Sequence, residues 1–74
     1  MIKHKLIGLT ALHVRVGDLK NDGFKVVSEH YDYSFAYVKL IHQNGNRISV
    51  KIDYDRGILS QLTNGKQVHS ETLY

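Results

Sequence analysis

The chain has 74 residues, enough for one small domain, and it contains no cysteine. Disulfides, thiolate zinc sites and a cysteine nucleophile are therefore excluded. With 42% hydrophobic residues, 23% charged residues and no proline, the composition is typical of a folded domain rather than of a disordered segment or a linker. No apolar run approaches the roughly 18 residues of a membrane span. We expect a soluble, cytoplasmic, single-domain protein over 1–74, with no cofactor and no membrane partner.

The positive charge lies near the N-terminus. The chain carries a net charge of +3, and residues 1–17 contain Lys3, Lys5 and Arg15 but no acidic residue. From Asp18 onward, seven basic residues balance seven acidic ones. A basic end of this kind can attract phosphate groups.

The segment before Gly23 is predicted to be a helix lying within 5–22. Its apolar residues recur at helical spacing and form one stripe, consisting of Leu9, Leu12, Val16 and Leu19. Asp22 and Gly23 supply a C-terminal stop. Val14 and Gly17 are weak helix formers, and residues 12–16 also alternate as in a strand, so a strand is the alternative.

The rest of the chain is predicted to form strands joined by tight turns. The strand candidates are 24–30, 34–42, 47–54, 58–62 and 67–73, of which the last two are weaker. Asn44-Gly45 and Asn64-Gly65 are strong signals for two-residue hairpin loops, and Asp55-Arg56-Gly57 suits a three-residue loop. The sequence therefore predicts an α+β fold in which one N-terminal helix packs on a four-stranded antiparallel meander sheet.

The pairing of the second and third strands decides which residues form the core. A two-residue loop at Asn44-Gly45 places Ile41 opposite Ile48 and Tyr37 opposite Ile52. The core then consists of Phe24, Val26, Phe35, Tyr37, Ile41, Ile48, Val50 and Ile52. A three-residue loop instead pairs Leu40 with Val50 and Val38 with Ile52, which leaves the tyrosines exposed.

No arrangement of residues points to catalysis or to a metal. The five histidines form no HxH or HxxxH pair. His30 with Asp32, and His69 with Glu71, each place an imidazole and a carboxylate on one face of a strand, but a metal site also needs converging ligands that the sequence does not specify. A GxSxG motif and a glycine-rich phosphate loop are both missing. We predict a protein that is not an enzyme and binds no metal.

Two binding functions remain as hypotheses. The first is a protein-interaction module, such as a regulator, inhibitor or adaptor, that meets a larger protein or a second copy through a sheet edge or an aromatic and apolar sheet face. Its candidate residues are Tyr31, Tyr33, Tyr37, Val38, Leu40 and Tyr74. The alternative is nucleic-acid binding, in which the aromatic series 31–37 stacks on bases. The candidate residues for phosphate contacts are Lys3, Lys5, Arg15, Lys39, Arg47 and Lys51.

Overall fold

The computed structural model describes the backbone of residues 2–74 and the side chains from residue 4 onward. Its elements are α1 (Ile2–Asn21), β1 (Phe24–Tyr31), β2 (Phe35–His42), β3 (Arg47–Asp53), β4 (Ile58–Thr63) and β5 (Lys66–Thr72). All strands form one antiparallel sheet in sequence order. The predicted α+β fold is confirmed, but the sheet has five strands rather than four, because the weak C-terminal candidate pairs with β4 along its length.

The predicted helix is confirmed and starts earlier than expected, at Ile2. It ends at Asn21, and Gly23 terminates it with a φ of 98° that is accessible to glycine and an N–H that donates to the carbonyl of Lys20 at 3.1 Å. The predicted stripe faces the sheet, with Leu12, Val16 and Leu19 buried. Burial of this stripe against the sheet outweighs the weak helix propensity of the valines, since tertiary packing supplies most helical stability.

The loop between β2 and β3 has three residues, 43–45, and neither predicted register is observed. The N–H of His42 donates to the carbonyl of Asn46 at 2.9 Å, which closes the longer loop. In the observed register Leu40 pairs with Ile48, Val38 with Val50 and Ala36 with Ile52. The expected two-residue loop is therefore wrong. The alternative three-residue loop placed Val38 and Leu40 correctly on the core face of β2, but it paired them with the wrong residues of β3.

The core lies between α1 and one face of the sheet. Its sheet side consists of Ala36, Val38, Leu40, Ile48, Val50, Ile52, Tyr54 and Leu59. Three residues predicted for the core, Phe35, Tyr37 and Ile41, are only half-buried and point to the opposite face. A shift of one residue in register moves a whole set of side chains across the sheet, and this shift accounts for the error.

The turn beginning at Asn64 is the predicted two-residue loop, with φ of 51° at Asn64 and 85° at Gly65. The side-chain Oδ1 of Asn64 also accepts from the N–H of Arg47 at 2.9 Å, which ties this turn to the start of β3. The loop before β4 has four residues, 54–57, rather than three, and Gly57 takes the expected left-handed conformation with φ of 68°.

Both edge strands carry a bulge. The register shifts at Val27 in β1 and at Val68 in β5, and the two valines are 62% and 58% exposed. A bulge interrupts the regular row of backbone donors and acceptors, which is a common protection against edge-to-edge pairing. Neither edge therefore offers a continuous template for an added strand. Within residues 2–74, no helical stretch has both the length and the hydrophobicity of a membrane crossing.

Candidate functional site

The side of the sheet opposite α1, called here the open face, has no covering layer among residues 2–74. Strand pairing assigns its side chains, because residues directly opposite each other share a face. On β1, β2 and β3 they are Lys25, Ser28, His30, Phe35, Tyr37, Lys39, Ile41, Arg47, Ser49, Lys51 and Asp53. The β4 and β5 part of this face is uncharged, with serine, threonine, glutamine and two aliphatic side chains.

The charge of the open face is strongly positive. Its strand residues include four cations, Lys25, Lys39, Arg47 and Lys51, against the single carboxylate of Asp53. Arg56, in the loop before β4, lines a hollow of the same face. The carboxylate of Asp53 is already engaged, because its Oδ1 accepts from the backbone N–H groups of residues 55 and 56 at 3.0 and 3.1 Å. The strand residues of this face therefore have a charge excess of +3, equal to the net charge of the whole chain.

Three rings of the open face stack together and form what we call the aromatic triad: His30, Phe35 and Tyr37. The imidazole of His30 lies 5.1 Å from the ring of Phe35 and 5.3 Å from that of Tyr37, and Phe35 and Tyr37 are 6.2 Å apart. Their planes differ by only 9–26°. Nearly parallel, half-buried rings at the surface of a sheet are pre-ordered to stack on a further planar group.

Two lysines lie over two rings of the triad. The Nζ of Lys39 lies 5.3 Å from the ring centre of Tyr37, and the Nζ of Lys51 lies 4.8 Å from that of Phe35. These are cation–π distances, and both lysines are exposed. Because a lysine stem is long and flexible, its ammonium can leave the ring and follow an anionic group while a planar ligand takes its place.

A groove of about 610 Å³ lies on the open face around Lys39, Ile41, Arg47 and Ser49, and no ring of the triad lines it. Lys39 and Arg47 supply two cationic groups to its lining, and Val27 and Ile41 supply apolar contacts. Asn64, with its amide, lies at one end. The groove thus combines positive charge with apolar surface, a mixture that suits a ligand with both anionic and flat apolar parts.

Lys25 and His30 lie on the open face because of the β1 bulge. The sequence pattern did not indicate that these two residues share a face. In a regular strand, residues 25 and 30 point to opposite sides. The extra residue Val27 reverses the alternation, so that Lys25 pairs with Ile41 and His30 with Tyr37. A bulge leaves no clear pattern in a single sequence, and simple alternation therefore separates these two residues.

Two residues predicted to bind a protein partner are buried, so the prediction that they form a surface is wrong. Val38 and Leu40 are each 1% exposed, because they point into the core beneath α1. Tyr74 is also engaged within the fold, since its hydroxyl donates to the carbonyl of Tyr54 at 2.6 Å and its ring stacks on His4 at 4.3 Å. Of the predicted protein-binding set, Tyr31 and Tyr33 are exposed, whereas Tyr37 and Tyr74 are half-buried.

The predicted nucleic-acid set divides between the two sides of the sheet. Lys39, Arg47 and Lys51 lie together on the open face. Arg15 lies on the helix side, 3.8 Å from the carboxylate of Glu71. Lys5 is also on that side, with its Nζ 5.5 Å from the rings of Tyr33 and Tyr54. The side chain of Lys3 is outside the described residues. Lys5 and Arg15 therefore do not extend the open face.

A second surface feature is a hollow of about 390 Å³ lined by Lys5, Tyr31, Asp32 and Tyr33, called here the tyrosine hollow. Partial burial, followed by a hydrogen bond to the carboxylate of Glu29, raises the pKa of Tyr31. The backbone N–H of Tyr33, followed by the imidazole of His30, lowers the pKa of Asp32. Tyr33 itself is 90% exposed.

The two histidine–acid pairs form as the strand geometry predicts. His30 and Asp32 are 3.4 Å apart, and His69 and Glu71 are 3.6 Å apart. Neither pair gains a third histidine or acid among the residues that the structure describes.

Comparison of the chain with protein-family models, with characterised proteins and with solved structures finds no match. Only the residues of the chain itself therefore bear on its function.

Proposed function

We propose that the chain is a non-enzymatic binding protein of the cytoplasm whose open face binds single-stranded nucleic acid. The observation that carries the proposal is the position of the aromatic triad among four cations on the one face that no helix covers. Stacking rings and a positively charged path for the backbone are the two parts from which single-strand binding surfaces are built.

In this proposal the aromatic residues of the open face contact the bases, and its basic residues contact the phosphates. The rings of Phe35 and Tyr37 stack on unpaired bases, and Lys39 and Lys51 move from those rings to the adjoining phosphates. Arg47 binds a phosphate beside the groove, where its guanidinium supplies several donors in a fixed plane. Base stacking on an aromatic residue contributes about 1–3 kcal/mol per base.

A single strand suits this face better than a duplex. Bases in a duplex are stacked on one another and present only their edges in the grooves, which a helix or a two-stranded ribbon can enter. A broad sheet face is too wide for a groove, and its rings need the flat side of an unpaired base. This geometry favours single-stranded DNA or RNA, with little dependence on base sequence.

Fluorescence anisotropy with a labelled single-stranded oligonucleotide tests the proposal. Tyr37→Ala should lower the affinity by roughly 5- to 150-fold, equivalent to the 1–3 kcal/mol of one stacked base. Lys39→Ala should lower it as well. Lys20→Ala removes an exposed lysine of the helix and serves as the matched control with unchanged affinity. Equal affinities for all four proteins, or preference for a duplex of the same sequence, would contradict the proposal.

A second candidate function is contact with a larger protein through the tyrosine hollow. Its support is Tyr33, whose large ring is 90% exposed beside the partly exposed Tyr31. Tyrosine is enriched at the centres of protein interfaces. Under this alternative, Tyr33→Ala abolishes capture of one discrete protein from nuclease-treated lysate, whereas Tyr37→Ala leaves the capture unchanged.

A further inference from the structure

The outer side of α1 is apolar where a surface helix is normally polar. Residues at spacings of three, four and three along the helix form what we call the outer stripe: Ile7, Thr10, Val14 and Gly17. Leu6 flanks it. Leu6 and Val14 are each 60% exposed and Ile7 is 39% exposed. Between residues 6 and 14 the helix has no lysine, arginine, aspartate or glutamate.

This pattern is what a helix–helix contact requires. Alternating spacings of three and four keep side chains along one seam of a helix pair. The sheet already covers the opposite side of α1, so this stripe is a second apolar surface with no partner among the described residues. A methyl group at Gly17 would meet no atom within 4 Å, which leaves room there for a neighbouring side chain.

We infer that the outer stripe binds the outer stripe of a second copy, with the two helices antiparallel. In that arrangement Ile7 of each chain packs against Gly17 of the second copy, and Thr10 packs against Val14. The same pairs occur twice about a two-fold axis near residue 12, as in a self-complementary dimer interface. A large side chain meets a small one at both ends, so the helices can lie close together.

The charges of α1 favour a second copy over an unrelated partner. Its first turn contains Lys3 and no acidic residue, although the N-terminal end of a helix dipole is positive. Asp18 and Asp22 lie at the negative C-terminal end, where only Lys20 offsets them. An antiparallel copy places the acidic end of each helix beside the basic end of the other, which compensates both ends at once.

The dimer predicted here leaves the open faces free. The two helices lie at the centre, and the two sheets direct their open faces outward. One helix stripe is a small interface, so we expect a dimer that dissociates on dilution. The inference is independent of the proposed nucleic-acid binding, since a monomer keeps a complete open face.

Three exposed valines allow a matched test by sedimentation equilibrium. Val14 on the outer stripe, Val27 in the β1 bulge and Val68 in the β5 bulge are 60%, 62% and 58% exposed. The native chain should show a monomer–dimer equilibrium. Val14→Lys should weaken dimerisation at least tenfold, whereas Val27→Lys and Val68→Lys should leave it unchanged. If Val14→Lys fails to fold by circular dichroism, Thr10→Lys replaces it with the same expected result.

Four outcomes would overturn the inference. They are a strict monomer at the highest soluble concentration, a dimer unaffected by Val14→Lys, a dimer lost only with Val27→Lys or Val68→Lys, and a monomer that co-sediments with phosphatidylglycerol vesicles through Val14. The first excludes self-association, the second and third place it on another surface, and the last assigns the outer stripe to a lipid surface. Oligonucleotide binding by Val14→Lys at low concentration should equal that of the native chain, which separates this test from that of the open face.

Discussion

At the scale of single residues, the two glycines of α1 have opposite roles. A Cβ at Gly8 would lie 2.8 Å from Cγ1 of Ile52, so the helix rests on the sheet at this point. A Cβ at Gly17 would lie in open space. Glycine inside a helix costs about 0.5–1 kcal/mol relative to alanine unless its small size is used.

Alanine substitutions should therefore change stability in opposite directions. Gly17→Ala should raise the free energy of unfolding by about 0.5–1 kcal/mol, and Gly8→Ala should lower it by about 1–2 kcal/mol, because overpacking outweighs the gain in helix propensity. Urea unfolding of dilute, monomeric protein measures both. Stabilisation by Gly8→Ala would show that the helix does not approach the sheet as described.

Tyr54 carries a hydroxyl that is buried and has no hydrogen-bond partner among the described residues. Burial raises the pKa of Tyr54 above its usual 10.0 and raises the pKa of Tyr74 as well. A raised pKa means that the folded state favours the neutral phenol, so this contribution to stability is complete below about pH 10 and is lost as the pH rises through the folded-state value.

Tyr54→Phe should remove both the unpaired buried hydroxyl of Tyr54 and the raised pKa of its phenol. The free energy of unfolding at neutral pH should rise by about 1 kcal/mol, since an unpaired buried hydroxyl is removed. Its decrease above about pH 10 should become shallower. Thermal melts from pH 7 to pH 11 provide the measurement, with the exposed Tyr33→Phe as control. A destabilised Tyr54→Phe at neutral pH would mean that the hydroxyl has a partner.

At the scale of elements, β3 separates stability from binding on its two faces. Ile52 is 0% exposed beneath the helix, whereas the neighbouring Lys51 is exposed on the open face. Ile52→Ala should lower the free energy of unfolding by about 2–5 kcal/mol, which in so small a domain can abolish folding. Lys51→Ala should leave the melting temperature nearly unchanged and weaken oligonucleotide binding. A clear loss of stability with Lys51→Ala would place that side chain in the core.

Strand positions and turn residues could be predicted because their signals are local. The alternation of 47–53 and the Asn64-Gly65 turn are both found where expected. The register of β2 with β3 was not predictable, since it depends on the length and the position of the loop, and both faces of β2 carry apolar side chains. The bulges at Val27 and Val68 were not predictable either, because they depend on contacts across strands. The bulge at Val27 places Lys25 and His30 on the open face, so their part in the site was missed with it.

At the scale of the whole molecule, one helix covers one face of a five-stranded sheet and leaves the other face positively charged. Binding through phosphates releases counterions, so affinity should fall as salt rises. With four cations in contact, the slope of log K against log salt should be about −3, and Lys39→Ala should reduce its magnitude by about 0.7. Anisotropy titrations at several salt concentrations measure the slope. A slope near zero would favour an apolar protein partner instead.

The central claim is that the open face is where nucleic acid binds, and amide chemical-shift mapping tests this most directly. A uniformly ¹⁵N-labelled chain would be titrated with a short single-stranded oligonucleotide while its ¹H–¹⁵N spectrum is recorded. We predict that the amides of Tyr37, Lys39 and Lys51 shift most, that those of β1 at Lys25 and His30 shift with them, and that those of the outer stripe stay in place. Shifts confined to the tyrosine hollow or to the helix, or no shifts at saturating oligonucleotide, would contradict the claim.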